Sequence, residues 1–111
     1  MFERGDLLLV PYPFSDLSVS KRRPVLALTS PDSYGDFIAL QVTSRAQLEN
    51  TIALTASDLV RGALPAASFI RTDRIVTLNA SLVIKVFGRV REPILTRAVE
   101  RFCARIGYAP R

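Results

Sequence analysis

The chain has 111 residues, 49% hydrophobic and 23% charged, which suits one globular domain and is too short for two ordinary ones. Its 15 Lys and Arg residues outnumber 10 Asp and Glu, and the formal net charge of +5 favours a polyanionic partner such as nucleic acid or an acidic protein. Histidine is absent and Cys103 is the only cysteine, which excludes an internal disulfide and removes the usual ligands of zinc and most transition metals.

No targeting or spanning segment is visible. The apolar run at residues 7–10 is too short for a signal-peptide core, and no longer apolar run could cross a bilayer. We expect a single domain over residues 1–111 that is soluble and cytoplasmic, has no membrane partner, and needs no metal or cofactor.

The first predicted strand covers residues 6–12, and Asp6 is expected to fix its entry through backbone hydrogen bonds. A polar loop over residues 15–23 follows and ends in three cations: Lys21, Arg22 and Arg23. A loop of this length in so small a domain is typical of a functional segment.

After Pro24, residues 25–29 form a nearly continuous apolar strand that should be buried on both faces. Arg23 therefore lies where the basic loop meets a central strand, a position from which a side chain can be placed accurately and still reach a ligand.

The next strand, over residues 37–44, alternates in polarity. Its predicted core face carries Ile38, Leu40 and Val42. Gln41 and Thr43 then point to the more polar side, and Arg45 follows at the strand end.

Residues 50–54 are a further short strand, after which Thr55 or Ser57 caps one helical turn that ends at Gly62. A strand over residues 69–77 places Arg71 and Asp73 on one face, and Ile70 and Thr72 on the other. Asn79 is expected to cap a short turn, and residues 83–90 form the last strand.

The chain ends in a helix that begins near Pro93, which fits a first helical position. Its apolar stripe comprises Ile94, Leu95, Ala98, Val99, Phe102 and Ile106. Arg97, Arg101 and Arg105 recur every four residues on another face, which favours a solvated flank over an RNA track. Five or six strands and one helix predict an α+β domain: a strongly bent antiparallel sheet or partial barrel with the helix packed on it.

The polar residues on these strands suit a phosphodiester. They are the cationic loop with Arg23, Thr43, Arg45, Arg71, Asp73 and Arg74. Arginines fork onto phosphate oxygens, and without histidine Asp73 is the natural general base, with Arg23 and Arg71 as stabilising cations. The simpler alternative is an idle surface ion pair between Arg71 and Asp73, and local statistics alone favour it.

Four segments in this order resemble the MazF/PemK family of toxins from type II toxin–antitoxin systems. They are RGDLLLVP (4–11), KRRPVLAL (21–28), VTS (42–44) and SFIRTDRIVTL (68–78). The similarity extends to about residue 90, with a terminal helix where the family has one.

The resemblance implies an SH3-like barrel that works as a homodimer, is held inactive by a cognate, acidic antitoxin, and cleaves single-stranded RNA such as mRNA without a metal. The products would be a 2′,3′-cyclic phosphate and a 5′-hydroxyl. The family's site residues match Arg23, Thr43, Arg71 and Asp73. Around them, further RNA contacts are expected from Lys21, Arg22, Gln41, Arg45 and Arg74.

One PemK-type toxin carries a functional histidine in the loop after its first strand, and this chain has none, so the acid for the leaving oxygen is unassigned. Two other functions compete. One is a non-catalytic, CcdB-like module that binds DNA gyrase. The other is a nucleic-acid-binding barrel without chemistry that stacks bases on Tyr12, Phe14 or Phe37.

Overall fold

A computed structural model describes residues 1–11, 22–47 and 49–109. In these residues a seven-stranded antiparallel sheet is followed by one α-helix. The elements are β1 (Asp6–Pro11), β2 (Arg22–Ala27), β3 (Asp36–Thr43), β4 (Thr51–Leu54), β5 (Leu59–Gly62), β6 (Ser68–Asn79), β7 (Lys85–Val90) and α1 (Glu92–Arg105). The strand order across the sheet is β4-β6-β3-β2-β1-β7-β5.

The sheet curls because its two edge strands bury side chains in the same core. Ile52 of β4 and Leu59 of β5 both belong to a cluster on one face, which α1 covers with Leu95 and Ala98. This arrangement confirms the α+β class, with a strongly bent antiparallel sheet and a C-terminal helix packed on it. In the described part of the chain, no helix is long and apolar enough to span a membrane.

A second core covers the opposite face of the sheet. Neighbouring residues of one strand enter different cores: Leu7 faces the α1 side, which we call the helix face, and Leu8 faces the other side, which we call the open face. The open-face core contains Phe37, which packs edge-on against Phe2 with ring centroids 4.6 Å apart.

This two-sided burial corrects one predicted face. Ile38 was expected in the core with Leu40 and Val42, but it is 39% exposed, whereas Phe37 and Ala39 on the other face are buried. The alternation itself holds, and each half of β3 is buried in a different core. Ile106 is also wrong as a core residue, because α1 ends at Arg105 and Ile106 is 63% exposed.

Several local signals are confirmed. The Asp6 carboxylate accepts a hydrogen bond from the Glu3 backbone N–H at 3.0 Å and forms an ion pair with Arg89 at 2.8 Å. Thr55 caps a 3-10 turn, and the Asn79 side chain accepts from the Ser81 N–H. Strand β5 was not predicted from the sequence, where these residues were expected to be the end of a helical turn before Gly62.

The pairing of β6 with β3 is broken in the middle. Val42 lies opposite Ile70 and Leu40 lies opposite Ile75, so four residues of β6, numbers 71–74, stand opposite the single residue Gln41. The three extra residues shift the alternation, so that Ile70 is buried on the helix face and Val76 packs on the open face.

Strand β5 approaches β7 closely at Gly62. The φ of Gly62 is +86°, and a Cβ there would collide with the Phe87 carbonyl and the Gly88 Cα, whereas Gly107 has nearly the same φ, +85°, and open space around it. Gly107→Ala should lower the free energy of unfolding by about 1 kcal/mol from backbone strain alone, and Gly62→Ala by about 3 kcal/mol, since overpacking adds to that strain. Urea unfolding of both variants checks this, and equal losses would contradict the close approach of β5 to β7.

Candidate active site

The broken segment of β6 carries an ion pair with two parallel hydrogen bonds. Arg71 donates from Nε to Oδ1 of Asp73 and from Nη2 to Oδ2, both at 3.0 Å. The side chains of Arg71 and Asp73 are only 18% and 20% exposed. Ile70, which precedes the pair, and Thr72, which lies between its two members, are buried on the helix face. The predicted division of this strand into a charged and a buried face is thus confirmed.

The pair leaves bonding capacity on both partners. A guanidinium has five N–H donors, and Arg71 uses two of them for Asp73 among the described residues. A carboxylate has about four lone-pair sites, so each Asp73 oxygen can accept a further hydrogen bond. Arg71 can therefore bind a phosphate while Asp73 accepts a hydroxyl.

The hydrogen bonds from Arg71 are the largest cause that lowers the pKa of Asp73 below its ordinary range. The positive charges of Arg71 and Arg74 act in the same direction, and partial burial opposes them. At neutral pH the carboxylate is therefore ionised and ready to accept a proton, although its low basicity makes it a weak proton acceptor.

A cleft of about 200 Å³ adjoins this pair on the open face of the sheet. Its lining consists of Arg23, Gln41, Val42, Thr43, Arg71 and Arg74. Arg23, Gln41 and Thr43 reach it because they share the strand alternation of the buried open-face residues Val25 and Ala39. Three guanidinium groups around one small cleft suit a phosphate group.

Two other predicted contact residues, Arg22 and Arg45, are not among the described residues that line this cleft. Arg22 is the first residue of β2 and Arg23 the second, so Arg22 points to the face opposite Arg23 and lines a separate groove of about 500 Å³ with Leu9 and Lys85. Arg45 lies beyond β3, where its backbone N–H donates to the Thr43 hydroxyl at 3.1 Å. Lys21 lies outside the described residues.

The stacking role considered for Phe37 is wrong, because Phe37 is 1% exposed in the open-face core. Tyr12 and Phe14 lie outside the described residues. Among the described residues, no group of three acidic, cysteine or histidine side chains could hold a metal ion.

Asn50, which helps to hold the site strand, was not predicted from the sequence as a site residue. Its carbonyl accepts the Thr72 N–H at 2.9 Å, directly before β4 begins with Thr51 opposite Arg71. The φ of Asn50 is +59°, a left-handed conformation that asparagine tolerates better than most residues. An asparagine directly before a short strand was the available signal for such a turn.

A family model described as "PemK-like, MazF-like toxin of type II toxin-antitoxin system" matches residues 3–105. No curated protein matches the chain in sequence.

Solved structures of low sequence identity share the fold. A mycobacterial endoribonuclease in complex with its cognate antitoxin is 16% identical, with a TM-score of 0.77 over 100% of both chains. A chain of the MazE–MazF crystal structure (Form-III) from Deinococcus radiodurans is 18% identical, with a TM-score of 0.78 over 97% of this chain and 98% of that one. The Mycobacterium tuberculosis toxin MazF-mt6 is 17% identical, with a TM-score of 0.71 over 95% and 99%.

The lowered pKa of Asp73 predicts a contribution to acid stability. Asp73 stays ionised in the folded protein where an unfolded aspartate, with a pKa of about 3.9, begins to be protonated. Its contribution to the free energy of unfolding is therefore present above that value and lost as the pH falls through the lowered folded pKa. As the pH is lowered below about 5, the free energy of unfolding of the Asp73→Asn protein, measured with urea, should decline less than that of the native protein. Parallel declines of the two proteins would contradict the assignment.

Proposed function

Because the chain belongs to the PemK-like, MazF-like toxin family of type II toxin–antitoxin systems, we propose that it cleaves single-stranded RNA, including mRNA, without a metal ion. The observation that carries the proposal is the cleft itself. It gathers three arginines and a threonine beside an ionised carboxylate, on the sheet face that α1 leaves open. The family match does not favour a CcdB-like module that binds gyrase.

In the proposed reaction, Asp73 takes the proton from the ribose 2′-hydroxyl as the 2′-oxygen attacks phosphorus. The P–O5′ bond then breaks, leaving a 2′,3′-cyclic phosphate on one fragment and a 5′-hydroxyl on the other. The low pKa of Asp73 keeps its base form populated near neutral pH.

The arginines stabilise the negative charge that develops on the phosphoryl oxygens. Arg71 is held in place by Asp73 through two of its five N–H donors, and Arg23 lies across the same cleft. Thr43 adds a hydroxyl beside the phosphate site.

Water supplies the proton to the leaving 5′-oxygen in this scheme. The described cleft lining offers arginine, glutamine, valine and threonine, and arginine is a poor proton donor because its guanidinium holds its protons tightly at neutral pH. A slow last proton transfer is the expected cost of having no histidine.

We also propose that a cognate, acidic antitoxin covers this cleft and that the toxin is a homodimer. The net charge of +5 supports an acidic partner, and the mycobacterial structure similar to this chain contains its cognate antitoxin. This chain has an exposed apolar surface that a second copy of the chain could cover. It consists of Leu82, Ile84 and Val86, which are 39%, 43% and 41% exposed.

The purified protein should cut single-stranded RNA in EDTA. Arg71→Ala should reduce kcat/KM by about 10²–10³-fold because it removes a donor to the developing charge. Asp73→Asn should reduce it by about 10²–10⁴-fold because it removes the base. The rates come from cleavage of end-labelled RNA, with fragment ends mapped for the cyclic phosphate and the 5′-hydroxyl.

The matched control is Arg61→Ala, which removes one exposed cation at β5, the sheet edge opposite β4. Its rate should equal that of the native protein. Full activity of folded Arg71→Ala and Asp73→Asn proteins would remove the proposed centre.

Ile84→Glu should turn the dimer into a monomer, since it places a charge in the middle of the exposed apolar surface at residues 82–86. Val60→Glu is the control, because Val60 is 58% exposed but lies on the edge strand β5. Sedimentation velocity distinguishes the two. An Ile84→Glu protein that sediments like the native dimer would place the interface elsewhere.

A further inference from the structure

The exposed side of α1 carries a row of three arginines: Arg97, Arg101 and Arg105. At 1.5 Å of rise per residue, successive members of this row are spaced by about 6 Å. Among the described residues, none of the three forms an ion pair with a carboxylate, and only Arg101 makes a hydrogen bond, to the Thr51 carbonyl at 3.0 Å. The row therefore presents uncompensated positive charge to a ligand.

An aromatic ring lies next to this row. Tyr108 is 60% exposed and lines, with Arg97 and Arg101, an open trough of about 590 Å³ at the end of α1. The other lining residues are Glu100, Ala104, Gly107 and Ala109. Small side chains leave the tyrosine ring and the guanidinium groups as the prominent features of the trough, and Glu100 is the one carboxylate among its described lining residues.

The trough continues toward the cleavage site. Arg101 and Ala104 also line a second hollow of about 420 Å³, which reaches Arg105, Asn50 and Thr72. Thr72 lies between Arg71 and Asp73 on β6 but faces the helix side. The ladder between β4 and β6 stops at Arg71, and beyond it the Asn50 carbonyl accepts the Thr72 N–H. The hollow at Asn50 and Thr72 therefore lies where the β4 ladder stops, and a single-stranded RNA can pass around this edge of the sheet from one face to the other.

We propose that this surface, the arginine row of α1 with Tyr108, binds the single-stranded RNA that flanks the cleaved bond. The inference rests on the proposed function, which puts the cleavage site at Arg71 and Asp73. Arginines bind the phosphates, and the tyrosine stacks a base irrespective of its identity. RNA fits better than an acidic peptide, because the trough has no deep apolar pocket to anchor side chains and leads to the strand that carries the nuclease pair.

The test measures binding of fluorescent 2′-O-methyl RNA, which lacks the attacking hydroxyl and stays intact. An RNA of about 12 nucleotides, long enough to extend beyond the cleft, is compared with one of about 4 nucleotides that is confined to the cleft. For the 12-mer, Arg97→Gln and Arg105→Gln should each lower the slope of log affinity against log salt by about 0.7. Tyr108→Ala should weaken the 12-mer about 5- to 100-fold. The 4-mer should be unaffected by all three variants.

Matched controls remove the same groups elsewhere: Arg61→Gln on β5, and Tyr34→Ala, since Tyr34 is 83% exposed in the turn before β3. The proposal is overturned if the α1 variants bind the 12-mer as the controls do. It is also overturned if those variants lose binding of polyglutamate, an acidic-peptide probe, while RNA binding is unchanged. If the three variants change 12-mer binding as expected but the native protein does not cut unmodified RNA, the result supports this binding surface and overturns the proposed function.

Discussion

The break in pairing between β6 and β3 is the constraint on which the rest of the structure depends. A sheet that buries both faces has little room for charged side chains, because each strand residue enters one core or the other. By setting residues 71–74 against Gln41 alone, β6 changes the core it faces and leaves Arg71 and Asp73 outside both cores. The same break lets strands β2 and β3 bring Arg23 and Thr43 to the same cleft.

The two charges of the pair, Arg71 and Asp73, each fix the state of the other. The two hydrogen bonds to Arg71 keep Asp73 ionised, and Asp73 in turn fixes the guanidinium where a phosphate would lie. An idle ion pair on an exposed surface contributes roughly 0.2–1 kcal/mol to stability, whereas Arg71 and Asp73 are only 18% and 20% exposed and lie in a break in the sheet. Under the proposed function, the pair is a phosphate and hydroxyl site that is organised before RNA arrives, with a base that is ready but weak.

Much of this site follows from strand alternation, which the sequence displays directly. Arg71 with Asp73, and Gln41 with Thr43, were assigned to the correct faces because period-two patterning survives folding. Ile38 was misplaced because an amphipathic pattern implies one core, whereas this sheet has two. Arg22 was grouped with Arg23 as a loop residue, but β2 begins at Arg22 and sends the two side chains to opposite faces. The broken register of β6 depends on long-range pairing, which no local pattern encodes.

The most direct measurement is a crystal structure of the protein with an RNA that keeps the reactive 2′-hydroxyl but has a methylene group in place of the 5′ bridging oxygen, so that the leaving bond cannot break. The account predicts the phosphate at that position within hydrogen-bond distance of Arg71 and Arg23, and the 2′-hydroxyl on a carboxylate oxygen of Asp73. A phosphate bound instead in the groove between Leu9 and Lys85, with Asp73 and Arg71 still paired and untouched, would contradict it.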